Sequence, residues 1–287
     1  MSTRILGALI LMLLSLQLFG QREYMSQYQY QDLFPVHKKF MPSGWFFSPG
    51  ITYQLIRFQD PEVDRFENND TLITSIEDPR GKLGLYLDVG RYHITDKSLL
   101  LEYIDYGIHV KQFRGAEQYT GMIYNKPITE EQEPSDIYEG EGHFTQWYGG
   151  AFFNANHVWQ ISDYRFIQNS LGVNVDFRFA NNHGYENPNP LMDQHALGQP
   201  FMAQLHYKLA YGFKVNQQVF VIPALETPIL TALPWSNGRS TYGFFSSRFR
   251  PLILSVRILF LRERGKRDCP PVYGDPTEDD IQQKIFK

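Results

Sequence analysis

Cysteine is almost missing from this chain of 287 residues: there is one, Cys269, near the C-terminus. A single thiol excludes an internal disulfide and a cysteine-built metal cluster. Cys269 reads as a structural or incidental thiol. Long apolar runs are missing from the interior as well. No internal stretch approaches the roughly 20 residues of a spanning helix, and mean hydropathy is −0.37. Positive charge is not in excess. The formal net charge is −4, which leaves no electrostatic footprint for a nucleic-acid partner. There is no glycine-rich phosphate loop, no HExxH zinc site and no G-x-S-x-G elbow. Aromatic residues, by contrast, are abundant: 15% of the chain, with 22 Phe and 18 Tyr.

The informative stretch is Phe166 to Ala180, FIQNSLGVNVDFRFA. Ile167, Leu171, Val173, Val175, Phe177 and Phe179 alternate with Gln168, Ser170, Gly172, Asn174, Asp176 and Arg178. Successive strand side chains point to opposite faces, so one face is apolar and the other polar. The run is long enough to cross a bilayer, which takes about 9–11 tilted residues. The pattern recurs at about Trp45–Phe58, Lys82–Tyr92, Ser98–Gln112, His143–His157, Phe201–Val215, Gln218–Leu225 and Pro251–Leu261. Glu102 falls on the apolar register of its strand and is expected near a membrane edge, where a carboxylate costs little.

The connections alternate in length. Gln59–Gly81, Phe113–Gly142, Asn181–Gln199 and Glu226–Arg250 read as long loops; tight turns lie between them. An up-and-down barrel gives this order when long loops face outside and tight turns face the periplasm. The sheet must close, because an open edge would leave backbone groups unpaired in lipid. The fold expected is all-β: an eight-stranded antiparallel transmembrane barrel over residues 45–262. Residues 1–20 read as a signal peptide, with Arg4 before the apolar core Ile5–Phe19 and a cut near Gly20/Gln21. Residues 21–44 read as a periplasmic N-terminal segment, aromatic enough to dock on the barrel mouth, and 263–287 as a periplasmic tail.

The strand rhythm resembles the small eight-stranded outer-membrane barrels of Gram-negative bacteria, such as the OmpA transmembrane, OmpX and OmpW families. The glycine–glutamine cut resembles export signals of the Bacteroidota. Small barrels of that phylum include PorT-like accessory components of type IX secretion. The resemblance implies an outer-membrane location, contact with lipid and lipopolysaccharide, and an accessory or structural role in a complex for secretion or membrane biogenesis. Asp70-Thr71-Leu72 resembles an O-glycosylation site of Bacteroidota exported proteins.

Candidate chemistry lies mainly inside. Asp88, Asp105, Asp176, Arg178, His206, Lys208, Lys214 and Arg257 take the inward register. An eight-stranded interior is just wide enough for side chains to fill. These charges read as a structural plug of mutual pairs or as a narrow ion path. The first two long loops are acidic, with Asp60, Glu62, Asp64, Glu67, Asp70, Glu77 and Asp78, then Glu117, Glu130, Glu131, Glu133, Asp136, Glu139 and Glu141. They read as solvated surface or as weak divalent-cation ligands. No catalytic residue, cofactor or metal site is assigned. A lipid A-modifying enzyme using a Ser–His pair and a small channel or ligand-binding barrel are the alternatives. His143, His157, His183 and the serines 236, 240, 246 and 247 are the residues such an enzyme would draw on. The tail carries Cys269, Pro270, Pro271 and Tyr273, too rigid and aromatic for a plain linker, and reads as a partner-docking segment or a solvated end.

Overall fold

The computed structural model describes residues 40–56, 63–67, 71–95, 101–125, 133–186, 199–233, 242–244 and 247–263. The signal segment, Asp70 and the tail with Cys269, Pro270, Pro271 and Tyr273 lie outside them. Ten strands follow in order: β1 Ser43–Ile56, β2 Val63–Glu67, β3 Thr71–Ile94, β4 Tyr103–Asn125, β5 Asp136–Ser162, β6 Arg165–Glu186, β7 Phe201–Lys214, β8 Val219–Leu233, β9 Tyr242–Phe244 and β10 Ser247–Phe260. Antiparallel neighbours follow chain order, and β1 pairs with both β3 and β10. Eight strands therefore close into a ring, while β2 and β9 are short hairpin partners of β3 and β10.

The exterior is a belt of apolar side chains. Leu85, Leu87 and Val89 of β3, Ile108 of β4, Leu171, Val173 and Val175 of β6, and Leu254 and Val256 of β10 are all exposed. Water would make such a surface a large aggregation liability; a bilayer makes it the stable one. The barrel is a transmembrane barrel.

Two glycine–aromatic contacts show how tightly the strands fit. A Cβ on Gly212 would stand 2.0 Å from the Phe166 ring, and one on Gly121 would stand 2.1 Å from the Tyr138 ring. Each glycine makes room for a ring on the neighbouring strand. At the turn end, Asn216 Oδ1 accepts from the backbone N–H groups of Gln218 and Val219, both at 2.8 Å, which fixes the β7–β8 turn.

The main departure from the sequence reading is length. β3, β4, β5 and β6 have 24, 23, 27 and 22 residues, against 14 for β1, β7 and β10 and 15 for β8. Much of what reads as the first two loops is strand: β3 already begins at Thr71, β4 runs to Asn125 and β5 begins at Asp136. The cause is the change of solvent. Above the membrane neither face needs lipid-compatible side chains, so the apolar alternation fades while backbone pairing goes on. Four adjacent strands rise on one side by about ten residues, roughly 30 Å at the usual strand rise. β8 likewise continues past Pro223 to Leu233. The β7–β8 ladder skips the proline, resuming at Ala210↔Ala224 on one side and Phe213↔Val221 on the other, as a residue without an N–H requires.

The leader boundary also moves. β1 begins at Ser43, and Phe40 is buried in the barrel mouth against Tyr92, Phe220 and Leu261. Phe40 pairs with Glu263, and the Met41 N–H donates to the Arg262 carbonyl at 2.7 Å.

Val173 sits mid-belt on β6. Val173→Arg is expected to cost about 2–4 kcal/mol, and Phe179→Arg, nearer the rim, about 0–1. Urea titration of barrels refolded into vesicles measures both; equal costs would contradict a membrane-spanning belt.

Candidate functional site: a plugged lumen beneath a protruding sheet

Inward-facing positions on all eight barrel strands fill the lumen in three layers. At the turn end lies an aromatic and aliphatic cluster that includes Phe40, Phe46, Tyr92, Tyr103, Phe166 and Phe220. At the loop end lies a second, made of Phe113, Tyr119, Phe144, Tyr148, Met202 and Phe249. Between them is a buried polar layer.

Arg257 of β10 anchors the lower part of that layer. Its Nη1 lies 2.6 Å from Asp105 Oδ2 on β4, and its Nη2 lies 3.9 Å from Asp88 Oδ2 on β3. Its guanidinium carbon stands 4.1 Å from the centroid of the Phe46 ring, within cation–π range. Asp105 also accepts from Asn154 at 2.6 Å and Asn156 at 2.7 Å. Gln168 donates to Asn156 and Ser170, both at 2.9 Å, and accepts from the Tyr103 hydroxyl at 2.6 Å.

The upper part repeats one design twice. In His109-Val-Lys111 on β4, His109 Nε2 lies 2.5 Å from Asp176 Oδ1 and Lys111 Nζ lies 2.7 Å from Asp176 Oδ2. In His206-Tyr-Lys208 on β7, His206 Nδ1 lies 2.9 Å from Glu226 Oε1 and Lys208 Nζ lies 2.8 Å from Glu226 Oε2. Period-two alternation puts the His and Lys of each triplet on the same face, and one carboxylate on another strand bridges them. Asn174 adds a bond to Glu226 at 3.1 Å. Charges removed from water persist only when paired and hydrogen-bonded, and these are.

Of the residues expected to form this network, Asp88, Asp105, Asp176, His206, Lys208 and Arg257 are buried within it. Arg178 is half-buried one step higher, beside the Tyr148 hydroxyl. Lys214 is not among them. It sits at the turn end of β7, with its ammonium 5.8 Å from the Phe220 ring centroid. Lys111 and Glu226 were missed, although both carry a central ion pair. Lys111 lies two residues beyond His109 and could have been found by extending the inward register. Glu226 was missed because the strand reads as ending at Leu225, with Glu226 opening the fourth long loop, whereas β8 runs on to Leu233. Glu117, read as a solvated loop acid, is buried on the inward face of β4.

Glu102 stands one residue before β4, at the turn end. It accepts from the Val158 N–H at 2.7 Å and pairs with His157 at 2.9 Å. His157 is thereby held at the end of the barrel opposite to His143 and His183, which lie in the tall parts of β5 and β6. The three histidines do not form one site.

The second candidate surface is the tall part of β3 to β6. Among the described residues, β2 pairs with β3 alone, and Asn181 to Glu186 of β6 pair with β5 alone. Exposed Asp78, Asp136, Glu139 and Glu186 lie on this part of the sheet.

No family model matches the chain, and no curated protein matches it. Solved structures similar to it are outer-membrane barrels. Ail, the attachment invasion locus protein of Yersinia pestis, solved with the heparin analogue sucrose octasulfate, is 9% identical, with 76% of this chain and 99% of that one covered and a TM-score of 0.25. OprG of Pseudomonas aeruginosa is 12% identical, covering 76% and 94%, with a TM-score of 0.34. At such identities and scores the likeness says nothing of role.

Asp176→Ala leaves Lys111 buried without its carboxylate and is expected to cost about 3–5 kcal/mol. Lys111→Met combined with Asp176→Leu should cost much less. Denaturant unfolding in micelles, analysed as a double-mutant cycle, decides; a double variant as damaged as Asp176→Ala would refute a coupled pair.

Proposed function

We propose that this chain is a non-enzymatic outer-membrane barrel that works as an accessory or structural subunit of a larger assembly. The observation that carries this is the contrast between its inside and its top. The lumen is filled by two aromatic layers and an ion-paired middle. The strands that rise above it form a tall sheet whose outer segments, β2 and the end of β6, each pair with one strand among the described residues. Such outer segments recruit an extended segment of another protein by strand addition. The exposed carboxylates on that sheet favour a partner segment carrying basic side chains.

A filled lumen also speaks against the channel alternative. A lipid-modifying enzyme needs nucleophile and base within hydrogen-bond reach; His183 lies 3.1 Å from the Asn181 amide nitrogen, which is not a nucleophile of that kind. The resemblance to small Bacteroidota barrels makes protein secretion and outer-membrane biogenesis the first contexts to examine.

The test is a mild-detergent pull-down of the tagged protein from its native outer membrane, read by mass spectrometry. A stoichiometric partner is expected, and substituting proline at Asn182 and His183 on the β6 edge should reduce its yield by at least about fivefold. A protein that comes down alone, with altered lipid A in a deletion strain, would overturn the reading in favour of an enzyme.

Planar-bilayer recording gives a second check. The reconstituted wild-type barrel is expected to show no discrete conductance steps. Regular single-channel openings would contradict the plug.

A further inference from the structure

Inside the barrel, Arg257, Lys111 and Lys208 each face a carboxylate. Outside, at the upper limit of the apolar belt, three cations do not. Lys82 of β3 and Arg114 of β4 are Cα partners directly across the ladder, and both are exposed. A register shift between Lys82 and Tyr86 leaves Lys82 on the same exposed side as Leu83. Arg250 of β10 lies opposite Leu55 of β1. Leu55 is two residues above Tyr53, whose partner on β3 is Leu83. The three cations thus share one level across the adjacent strands β10, β1, β3 and β4, a width of about 14 Å at the usual strand spacing.

Like charges directly opposite in a ladder are destabilising, so Lys82 beside Arg114 calls for a counter-charge. Among the described residues no carboxylate pairs with Lys82, Arg114 or Arg250. Their own partners are neutral. Arg114 Nη1 donates to the Leu83 carbonyl at 3.4 Å. Arg250 donates through Nε to Thr227 Oγ1 at 3.2 Å and through Nη2 to the Pro228 carbonyl at 2.9 Å. These bonds hold each guanidinium at the rim and leave its other N–H groups free. The nearby Asp78 is taken, at 3.1 Å from Arg80. Immediately below are Leu83, 57% exposed, and Leu55, 38% exposed, where acyl chains lie.

We propose that Lys82, Arg114 and Arg250 form a ledge that binds the phosphate groups of membrane lipids in the leaflet at the loop end, one at Lys82 and Arg114 and one at Arg250. The lipids' chains lie along Leu55 and Leu83 and their phosphates lie against the cations. Guanidinium groups match the geometry of phosphate oxygens, and a cation close to a charged bilayer surface strengthens such binding about fivefold. The ledge is independent of the protruding edges and of any protein partner.

The experiment uses the full mature protein in mixed micelles of phosphatidic acid and phosphatidylcholine with identical acyl chains. Native mass spectrometry counts the lipids retained. The wild type is expected to retain phosphatidic acid preferentially. Lys82→Gln, Arg114→Gln and Arg250→Gln should each lower that preference about fivefold, and the triple variant about a hundredfold. Arg250→Lys should restore most of its share. Heat-modifiable migration on gels establishes that each variant is folded. Arg91→Gln, at the turn end beside Trp45, should leave the preference unchanged. The proposal is overturned if the folded triple variant keeps the wild-type preference, or if Arg91→Gln lowers it equally. It also fails if inorganic phosphate alone displaces the lipid, which would make the ledge a site for a free anion.

Discussion

Everything in this molecule depends on the closure of one hydrogen-bonded ring. In lipid an unpaired backbone N–H or carbonyl has no water to turn to, so a sheet survives there only without edges. β1 meets that demand by pairing on both sides, with β3 and with β10. Closure then dictates the rest. It gives each strand an inner and an outer row, makes the outer row apolar, and confines the inner row to a space that side chains fill. Even Pro49 and Pro223, which cannot donate to a ladder, are accommodated on outward positions where pairing is interrupted.

Confinement explains the chemistry of the interior. Polar side chains on the inner row cannot reach solvent, because aromatic layers cover both ends. They must satisfy one another. Asp105 does so by serving Arg257, Asn154 and Asn156 together. Asp176 and Glu226 do so by each joining a histidine to a lysine. The Asp176 contacts link β4 to β6 and the Arg257–Asp105 pair links β10 to β4, strands that are not neighbours, so these two brace the ring across its bore as well as around its wall.

The same solvent contrast decides what a reader could take from the sequence. Phe166–Ala180 was legible because lipid enforces alternation at nearly every step. Thr71–Gly81 was not, because above the membrane Thr, Glu, Asp and Arg serve as well on a strand as in a loop. The inner charges Asp88, Asp105, Asp176 and Arg257 could be listed from parity, but their partners could not. Which carboxylate meets which cation depends on register and on bulges, such as that between Lys82 and Tyr86, and neither is written in one strand alone. Glu226 required knowing that a ladder can step over Pro223. The ledge at Lys82 and Arg114 became visible only once two distant segments were seen to lie opposite each other.

The unequal strand heights have a further result. A barrel of even height looks alike from every direction in the plane of its membrane. This one does not: β3 to β6 form a tall wall, and β7, β8, β10 and β1 form a low one. The molecule therefore has a front and a back, and its rotation about the membrane normal becomes a meaningful coordinate. Among the described residues, a neighbour touching the low side meets mainly lipid-facing barrel, while one arriving at the tall side meets an extended sheet and charge. Crowded together, such molecules would sort by facing direction, a compass in two dimensions set by four strands that did not stop at the membrane surface.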